Sequence, residues 1–211
     1  MGVTFDDEFR RQLAALIAWR RDVRRIRPDA VDPALVDGLL DLAVLAPSVG
    51  NSQPWRFVQV DDPGRRAAVI ANFERCNQAA LERYDAHRAQ AYARLKLQGL
   101  KTAPVQLAVF CDETTEQGFG LGRQTMPESL SYSVVGAIQI LWLAARAHGL
   151  GLGWVSILDP AQVAVDLDVP AAWRFIAYLC LGWPEEEHLD PELARHEWQD
   201  RTDVGRQVLH R

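Results

Sequence analysis

The sequence is poor in cysteine and has no excess of positive charge. Its 211 residues include three cysteines, Cys76, Cys111 and Cys180, without a C-x-x-C pair. An odd number of unpaired cysteines indicates free thiols in a reducing compartment rather than a disulfide framework. The net charge of −5 argues against a general nucleic-acid-binding protein. A length of 211 residues without a linker or repeat predicts one domain, residues 1–211.

Targeting segments and familiar nucleotide or metal motifs are also missing. The N-terminus, MGVTFDDEFRR, is acidic and lacks the apolar run of a signal peptide. The most apolar segment, VVGAIQILWLAA at 134–145, is too short to span a bilayer. These absences predict a cytoplasmic protein that does not enter a membrane. The sequences GFGLG and GLG fit neither a Rossmann fingerprint nor a P-loop, and the histidines lack metal-ligand spacing.

Hydrophobic periodicity and turn residues predict an α+β fold with a mixed central sheet flanked by helices. Predicted helices cover 6–19, 32–47, 65–97 (one helix or two) and 129–148, and another opens at Asp159-Pro160. Predicted strands cover 55–60, 104–110, 152–158 and 174–183. The glycine-rich segment 112–130 has no clear periodicity, and loops of this length are often functional lids.

The segment RRDVRRIRPD, residues 20–29, places one carboxylate among five guanidinium groups. The carboxylate is Asp22, and the arginines are Arg20, Arg21, Arg24, Arg25 and Arg27. Arginine donates paired hydrogen bonds to phosphate and carboxylate groups, so the cluster is a candidate anion site. A solvated helix end, whose cations complement the helix dipole, is the alternative and the simpler interpretation of an isolated cluster. Both interpretations stay open on this segment alone.

Two further sets of polar residues are candidates for a ligand site. In LAPSVGNSQPWRF, residues 45–57, Ser48, Asn51, Ser52 and Gln53 can hydrogen-bond a planar polar ligand. The alternative is that they satisfy a helix end and a strand entry. Ser156 lies in an apolar predicted strand, where a buried hydroxyl bonded to a backbone carbonyl is the simpler interpretation.

Read together, these segments resemble a known superfamily. RRDVR after the first helix, APSVGNSQPW after the second and a late glycine-rich strand resemble the nitroreductase-like flavoproteins. KTAPVQLAVFCD, GRQTMPESLSYSVVGAIQILWLAARAHGLGLGWVSILDP and LCLGWP resemble one branch, the 5,6-dimethylbenzimidazole synthases. The resemblance covers about residues 15–205. Asp22 stands where ordinary nitroreductases typically carry a serine-type residue.

The resemblance implies an intertwined homodimer with two FMN sites at the subunit interface. It implies that reduced FMN and dioxygen react to give 5,6-dimethylbenzimidazole, the lower ligand of cobalamin, and erythrose 4-phosphate. FMN is then the substrate, and a separate flavin reductase must supply it in reduced form.

The resemblance also implies a set of FMN contacts. They are Arg20, Arg21, Asp22, Val23, Arg24, Ser48, Asn51, Leu97, Ser156 and, by position alone, Arg201. Arg20 and Arg24 are the expected phosphate ligands, while Ser48 and Asn51 reach FMN held mainly by the other subunit. Asp22 and Ser156 are the implied catalytic residues. Asp22 is implied to transfer a proton. Nearby arginines favour its ionised form, and its pKa depends on burial against the isoalloxazine.

The resemblance further implies that Ser156 hydrogen-bonds the flavin or its oxygenated intermediate. It also implies that segment 112–130 closes as a lid against bulk water. Three alternatives remain. One is an ordinary FMN-dependent NAD(P)H nitroreductase or quinone reductase, and another is a non-catalytic flavin-binding or storage protein. The third, in which the arginines bind nucleic acid or an acidic protein, conflicts with the acidic overall charge.

Overall fold

The structure, a computed structural model, describes residues 2–85, 88, 98–202 and 207–211. Within these residues there are seven α-helices and four β-strands. The helices are α1 (Asp7–Trp19), α2 (Pro33–Ala43), α3 (Pro63–Leu81), α4 (Gly99–Thr102), α5 (Ser129–Ala147), α6 (Pro160–Asp166) and α7 (Glu192–Arg195). The strands are β1 (Trp55–Gln59), β2 (Val105–Asp112), β3 (Gly151–Val155) and β4 (Trp173–Gly182).

Aspartate caps determine where four of the helices begin. The side chains of Asp6, Asp32, Asp62 and Asp159 each accept a hydrogen bond from a backbone N–H in the first turn of the helix that follows. In α2, α3 and α6 the cap is followed by proline, whose fixed φ suits the first helical position. The predicted starts of α1, α2 and α6 are confirmed.

The four strands form one sheet in the order β1-β2-β4-β3, and each is antiparallel to its neighbours. The α+β class is confirmed, but the strands are not mixed in direction as predicted. A helix between two strands is compatible with parallel or antiparallel strands, so the alternation of helices and strands in the sequence did not determine the strand direction. A single parallel bridge, between Asp22 and Leu152, joins the outer strand β3 to the segment after α1.

The sheet is covered on both faces, which explains why residues 105–111 of β2 are all buried. On one face, Leu107 and Val109 pack in a cluster that includes α2 and α5. On the other face, Ala108 and Phe110 pack in a cluster that includes α3 and α6. The alternation follows the two-residue period of a strand.

The central helix α5 is longer than the apolar segment identified from sequence. At 19 residues, with a mean hydropathy of 1.3, it is long and apolar enough to cross a membrane by length and composition. Eight of its residues are nevertheless buried in the protein, against α2 and the sheet. This burial is the expected environment of a core helix.

Candidate functional site

The arginine segment lies along the outer strand β3. The amide of Val23 donates to the Leu152 carbonyl at 3.1 Å, and the amide of Gly99 donates to the Arg24 carbonyl at 2.7 Å. A Cβ on Gly153 would lie 2.3 Å from the Val23 carbonyl oxygen, so only glycine allows this approach. The backbone of residues 22–24 is therefore fixed from both sides.

Asp22 is held by one backbone and one side-chain contact. Its Oδ1 accepts a hydrogen bond from the Trp154 amide at 2.9 Å, and its Oδ2 lies 3.4 Å from Arg24 Nε. The exposed fraction of its side chain is 37%, and that surface faces the neighbouring cavities. One carboxylate oxygen thus retains capacity to accept a proton or a hydrogen bond.

The surroundings of Asp22 raise the pKa of its carboxyl group. Desolvation by the enclosing protein is the largest cause. The Trp154 amide and the positive charges of Arg24 and Arg20 act in the opposite direction. The arginines favour the ionised form, as expected from sequence, but desolvation outweighs them. Asp22 is consequently a stronger base than an exposed aspartate.

A cavity of about 190 Å³ opens beside Asp22 and brings together residues distant in sequence. Its lining consists of Arg20, Arg21, Asp22, Arg24, Pro191, Glu192, Leu193 and Arg201. Four arginines face two carboxylates, which leaves an excess of two positive charges. We call this the arginine pocket. Arg201, predicted only by position, lies with the others in its wall.

The five clustered arginines divide into two groups. Three have a carboxylate partner: Arg24 lies 3.4 Å from Asp22, Arg25 forms an ion pair with Glu186, and Arg27 lies 3.5 Å from Asp29. Within the described part of the chain, neither Arg20 nor Arg21 has a carboxylate within ion-pair distance. The pKa of Arg21 is lowered, first by burial and then by the charges of Arg201 and Arg20. An anion in the pocket would relieve this repulsion.

Ser48 and Asn51 do not line the arginine pocket. They belong to a turn at residues 48–53, in which Ser48 Oγ accepts from the Gln53 amide at 3.0 Å. Asn51 Oδ1 accepts from Gln53 Nε2 at 3.3 Å, and the Asn51 backbone has a φ of 55°. The side chain of Gln117, from the glycine-rich segment, donates to the Asn51 carbonyl at 2.8 Å.

The predicted lid, segment 112–130, therefore packs on this turn. Gly118 approaches so closely that a Cβ there would lie 2.4 Å from the Gly50 carbonyl oxygen. Beyond this contact, Phe119 and Leu121 project outward with 99% and 71% of their surfaces exposed. The segment and the turn form one surface, separate from the lining of the arginine pocket.

Ser156 differs from its sequence-based description. Strand β3 ends at Val155, and Ser156 is exposed rather than buried within a strand. It follows Trp154, whose amide holds Asp22, by two residues, a chain rise of roughly 7 Å at most. The side chain of Asn72 fixes the following loop, because its amide pairs with both backbone groups of Asp159 at 2.9 and 3.1 Å.

Two other predicted contacts fall elsewhere. Val23 packs against β3, where a Cβ on Gly151 would lie 2.8 Å from Val23 Cγ1. It lines an adjoining cavity of about 40 Å³, not the arginine pocket. Leu97 lies outside the described residues.

Comparison with known proteins identifies the group to which this fold and site belong. The sequence profile of the Nitroreductase family matches residues 17–183. The chain belongs to the nitroreductase family.

Within the nitroreductase family, the chain is similar to proteins of one name. A protein from Rhodospirillum rubrum named 5,6-dimethylbenzimidazole synthase is 62% identical over 200 residues, which are 95% of each chain. A Rhodobacter capsulatus protein of the same name is 48% identical over 198 residues, 94% of this chain and 96% of that protein. The resemblance noted from sequence is thereby confirmed.

A solved structure supports the fold. The crystal structure of oxidized iodotyrosine deiodinase bound to FMN and 3-iodo-L-tyrosine has a TM-score of 0.72 and 23% identity. The match covers 94% of this chain and 97% of that chain.

Sequence reasoning missed parts of the site of this nitroreductase-family protein. Trp142 of α5 donates its indole N–H to the Arg21 carbonyl, although the two residues are 121 positions apart. The segment Pro191–Leu193 supplies a wall of the pocket, although sequence analysis named no candidate residue in it. Neither contact has a local sequence signal, because both depend on how distant elements pack.

Proposed function

We propose that this chain is a 5,6-dimethylbenzimidazole synthase, which cleaves reduced FMN with dioxygen to 5,6-dimethylbenzimidazole and erythrose 4-phosphate. The observation that carries the proposal is the carboxylate of Asp22, with its raised pKa, fixed beside a pocket of four arginines. Proteins of that name that are 62% and 48% identical over nearly the whole chain support it.

The arginine pocket fits the phosphate of FMN. Its excess of two positive charges matches a phosphate monoester, which carries about −1.5 to −2 near neutral pH. Arg20, Arg21, Arg24 and Arg201 would hold the phosphate through charge-assisted hydrogen bonds. When bound in reduced form, FMN supplies both the electrons for dioxygen and the carbon atoms of the product.

Asp22 would act as the proton acceptor of the reaction. Breaking a carbon–carbon bond in the ribityl chain requires removal of a hydroxyl or carbon-bound proton, and a positioned base accelerates such a step. The Trp154 amide occupies Oδ1, so Oδ2 is the oxygen available for the proton. Desolvation raises the pKa of this carboxyl and strengthens it as a base at neutral pH.

Ser156 and a second subunit would complete the site. Ser156 is exposed two residues after the amide that holds Asp22, where its hydroxyl can donate to a flavin oxygen or nitrogen. Ser48 and Asn51, absent from the lining of the arginine pocket, would contact FMN bound by the other subunit of a homodimer. The segment 112–130 would then exclude water across the same interface.

The proposed enzyme is one FMN-binding domain, residues 1–211, that acts in the cytoplasm. It would receive reduced FMN from a separate flavin reductase. No described residue set corresponds to a nicotinamide-binding motif, so the source of electrons is a partner enzyme in this proposal.

The deciding experiment is aerobic incubation of the protein with chemically reduced FMN, followed by chromatography and mass detection of products. We expect 5,6-dimethylbenzimidazole with the wild type and none above background with Asp22→Asn. Recovery of intact FMN from both proteins would refute the synthase. Rapid bleaching of the bound flavin by NADPH alone would instead identify an ordinary FMN-dependent nitroreductase or quinone reductase.

A further inference from the structure

Trp142 makes two contacts with the arginine segment from behind the pocket wall. Its indole Nε1 donates to the Arg21 carbonyl at 3.1 Å. The guanidinium carbon of Arg20 lies 4.8 Å from the centroid of the same ring. Trp142 is only 9% exposed and packs in the core of the protein with Trp154, at 6.3 Å between ring centroids. One rigid side chain thus contacts two consecutive residues of the pocket.

The way in which Arg20 is held differs from that of Arg25, which does not line the arginine pocket. A carboxylate partner, such as Glu186 for Arg25, fixes a guanidinium and neutralises its charge. An aromatic face attracts the cation through its quadrupole and carries no net charge. Arg20 is therefore oriented while its full positive charge stays available to an anion. A pocket that must bind a phosphate gains from this arrangement.

We propose that Trp142 is a positioning residue that orients Arg20 and Arg21 toward the phosphate of FMN. The inference rests on the proposed function, because it takes the phosphate of FMN as the anion of the arginine pocket. Trp142 lines the adjoining cavity of about 40 Å³ and not the arginine pocket, so it acts on the phosphate through the arginines. It contributes to the preference of the site for FMN over riboflavin, which lacks the phosphate.

The test compares equilibrium binding of FMN and riboflavin to the ligand-free protein, measured by quenching of flavin fluorescence. Trp142→Leu removes both contacts, whereas Trp142→Phe keeps the aromatic face and loses the hydrogen bond. For Trp142→Leu we expect about tenfold weaker FMN binding, the size of a desolvated cation–π contact, with riboflavin changed less than about twofold. Trp142→Phe should lower FMN affinity by about threefold.

Trp183→Phe is the matched control. Its indole Nε1 donates to the Ala30 carbonyl at 3.3 Å, so the substitution deletes a bond of the same kind away from the pocket. We expect no change in the ratio of the two affinities. If Trp142→Leu does not fold, Trp142→Phe carries the test alone.

A double-mutant cycle separates positioning from a general packing role. In an Arg20→Gln background, Trp142→Leu should cause little further loss of FMN affinity. Fully additive losses, or equal losses for FMN and riboflavin, would overturn the role of Trp142. A wild type that binds riboflavin as tightly as FMN would instead refute the phosphate pocket and the proposed function together.

Discussion

The arginine segment and the turn at residues 48–53 are both irregular, polar stretches that resemble flavin-binding sequences, yet the structure uses them differently. In the first, Arg20 and Arg21, which have no carboxylate within ion-pair distance among the described residues, line a cavity next to Asp22. In the second, Ser48 and Asn51 hydrogen-bond within their own turn and to the neighbouring glycine-rich segment. The arginine segment thus contributes to an excess of positive charge in a cavity, whereas Ser48 and Asn51 already have hydrogen-bond partners in the turn.

The difference indicates how much of the site one chain builds. The arginine pocket has its own walls and an uncompensated charge, so it can select an anion without help. The turn presents a preformed backbone with a positive φ at Asn51, and its residues do not line the arginine pocket. We therefore propose that it serves a site formed with a second copy of the chain. The predictions below test this contrast.

The largest effect is expected from Asp22→Asn. Loss of a positioned base should lower 5,6-dimethylbenzimidazole formation by about 10²- to 10⁴-fold. FMN should bind as tightly as before or more tightly, because one negative charge leaves a pocket that binds an anion. Single-turnover product analysis and a binding titration measure the two quantities. A large loss of FMN affinity would mean that Asp22 is structural.

The next largest effect is expected from Arg20→Gln. Losing a charge-assisted hydrogen bond to phosphate should weaken FMN binding by about 10- to 100-fold, with riboflavin little changed. Arg27→Gln is the control, since Arg27 belongs to the same cluster but lies beside Asp29. Equal losses from the two variants would show that only the overall charge of the cluster matters.

A moderate effect is expected from Asn51→Gly, which deletes the side chain but keeps a residue that tolerates the positive φ of 55°. We expect FMN binding to weaken by about two- to tenfold, the range of a neutral hydrogen bond. Coexpression with Arg20→Gln sharpens the test. In a two-fold dimer with shared sites, each mixed dimer of an Asn51→Gly chain and an Arg20→Gln chain has one intact site. Random assembly therefore restores about a quarter of all sites. No recovery would show that Asn51 does not complete the site of the other subunit.

The smallest effect concerns stability. The pKa of Asp22 is raised in the folded protein, so the folded state binds more protons than the unfolded state above the ordinary aspartate pKa of about 3.9. The free energy of unfolding contributed by Asp22 therefore falls as the pH rises from about 4 through the raised pKa. Below about pH 4 Asp22 is protonated in both the folded and the unfolded state, so its contribution to the free energy of unfolding no longer changes with pH.

Asp22→Asn should accordingly raise the melting temperature at neutral pH. The exposed fraction of 37% screens the carboxylate, so we expect a gain below about 1 kcal/mol, or at most about 4 °C. The difference between variant and wild type should vanish near pH 4 in calorimetric scans. A difference in melting temperature that stays constant at all pH values would show that the effect of the substitution comes from packing and not from the charge of Asp22.

The sequence predicted those features that depend on neighbouring residues. The capped starts of α1, α2 and α6 follow from Asp-Pro and aspartate signals that act within one turn. Resemblance to a family located Asp22 and its arginines, and the structure brings four of these residues and Arg201 to one cavity. Their roles in catalysis and binding stay predictions.

Features that depend on three-dimensional packing escaped sequence analysis. Strand direction was not determined by the order of helices and strands, and Ser156 fell one residue beyond its strand. The raised pKa of Asp22 depends on how completely the protein encloses it, which no local pattern reports. Trp142 reaches Arg21 only because α5 crosses the sheet beside the segment.

The close approach of Gly153 to the Val23 carbonyl has a consequence for solubility. β3 is the last strand of the sheet, and an uncovered last strand offers unpaired N–H and C=O groups to other chains. The main chain at Val23 and the carboxylate of Asp22 occupy two of these groups. Gly153→Ala would push the segment away, so the same step that displaces the proposed base would also open the strand to aggregation.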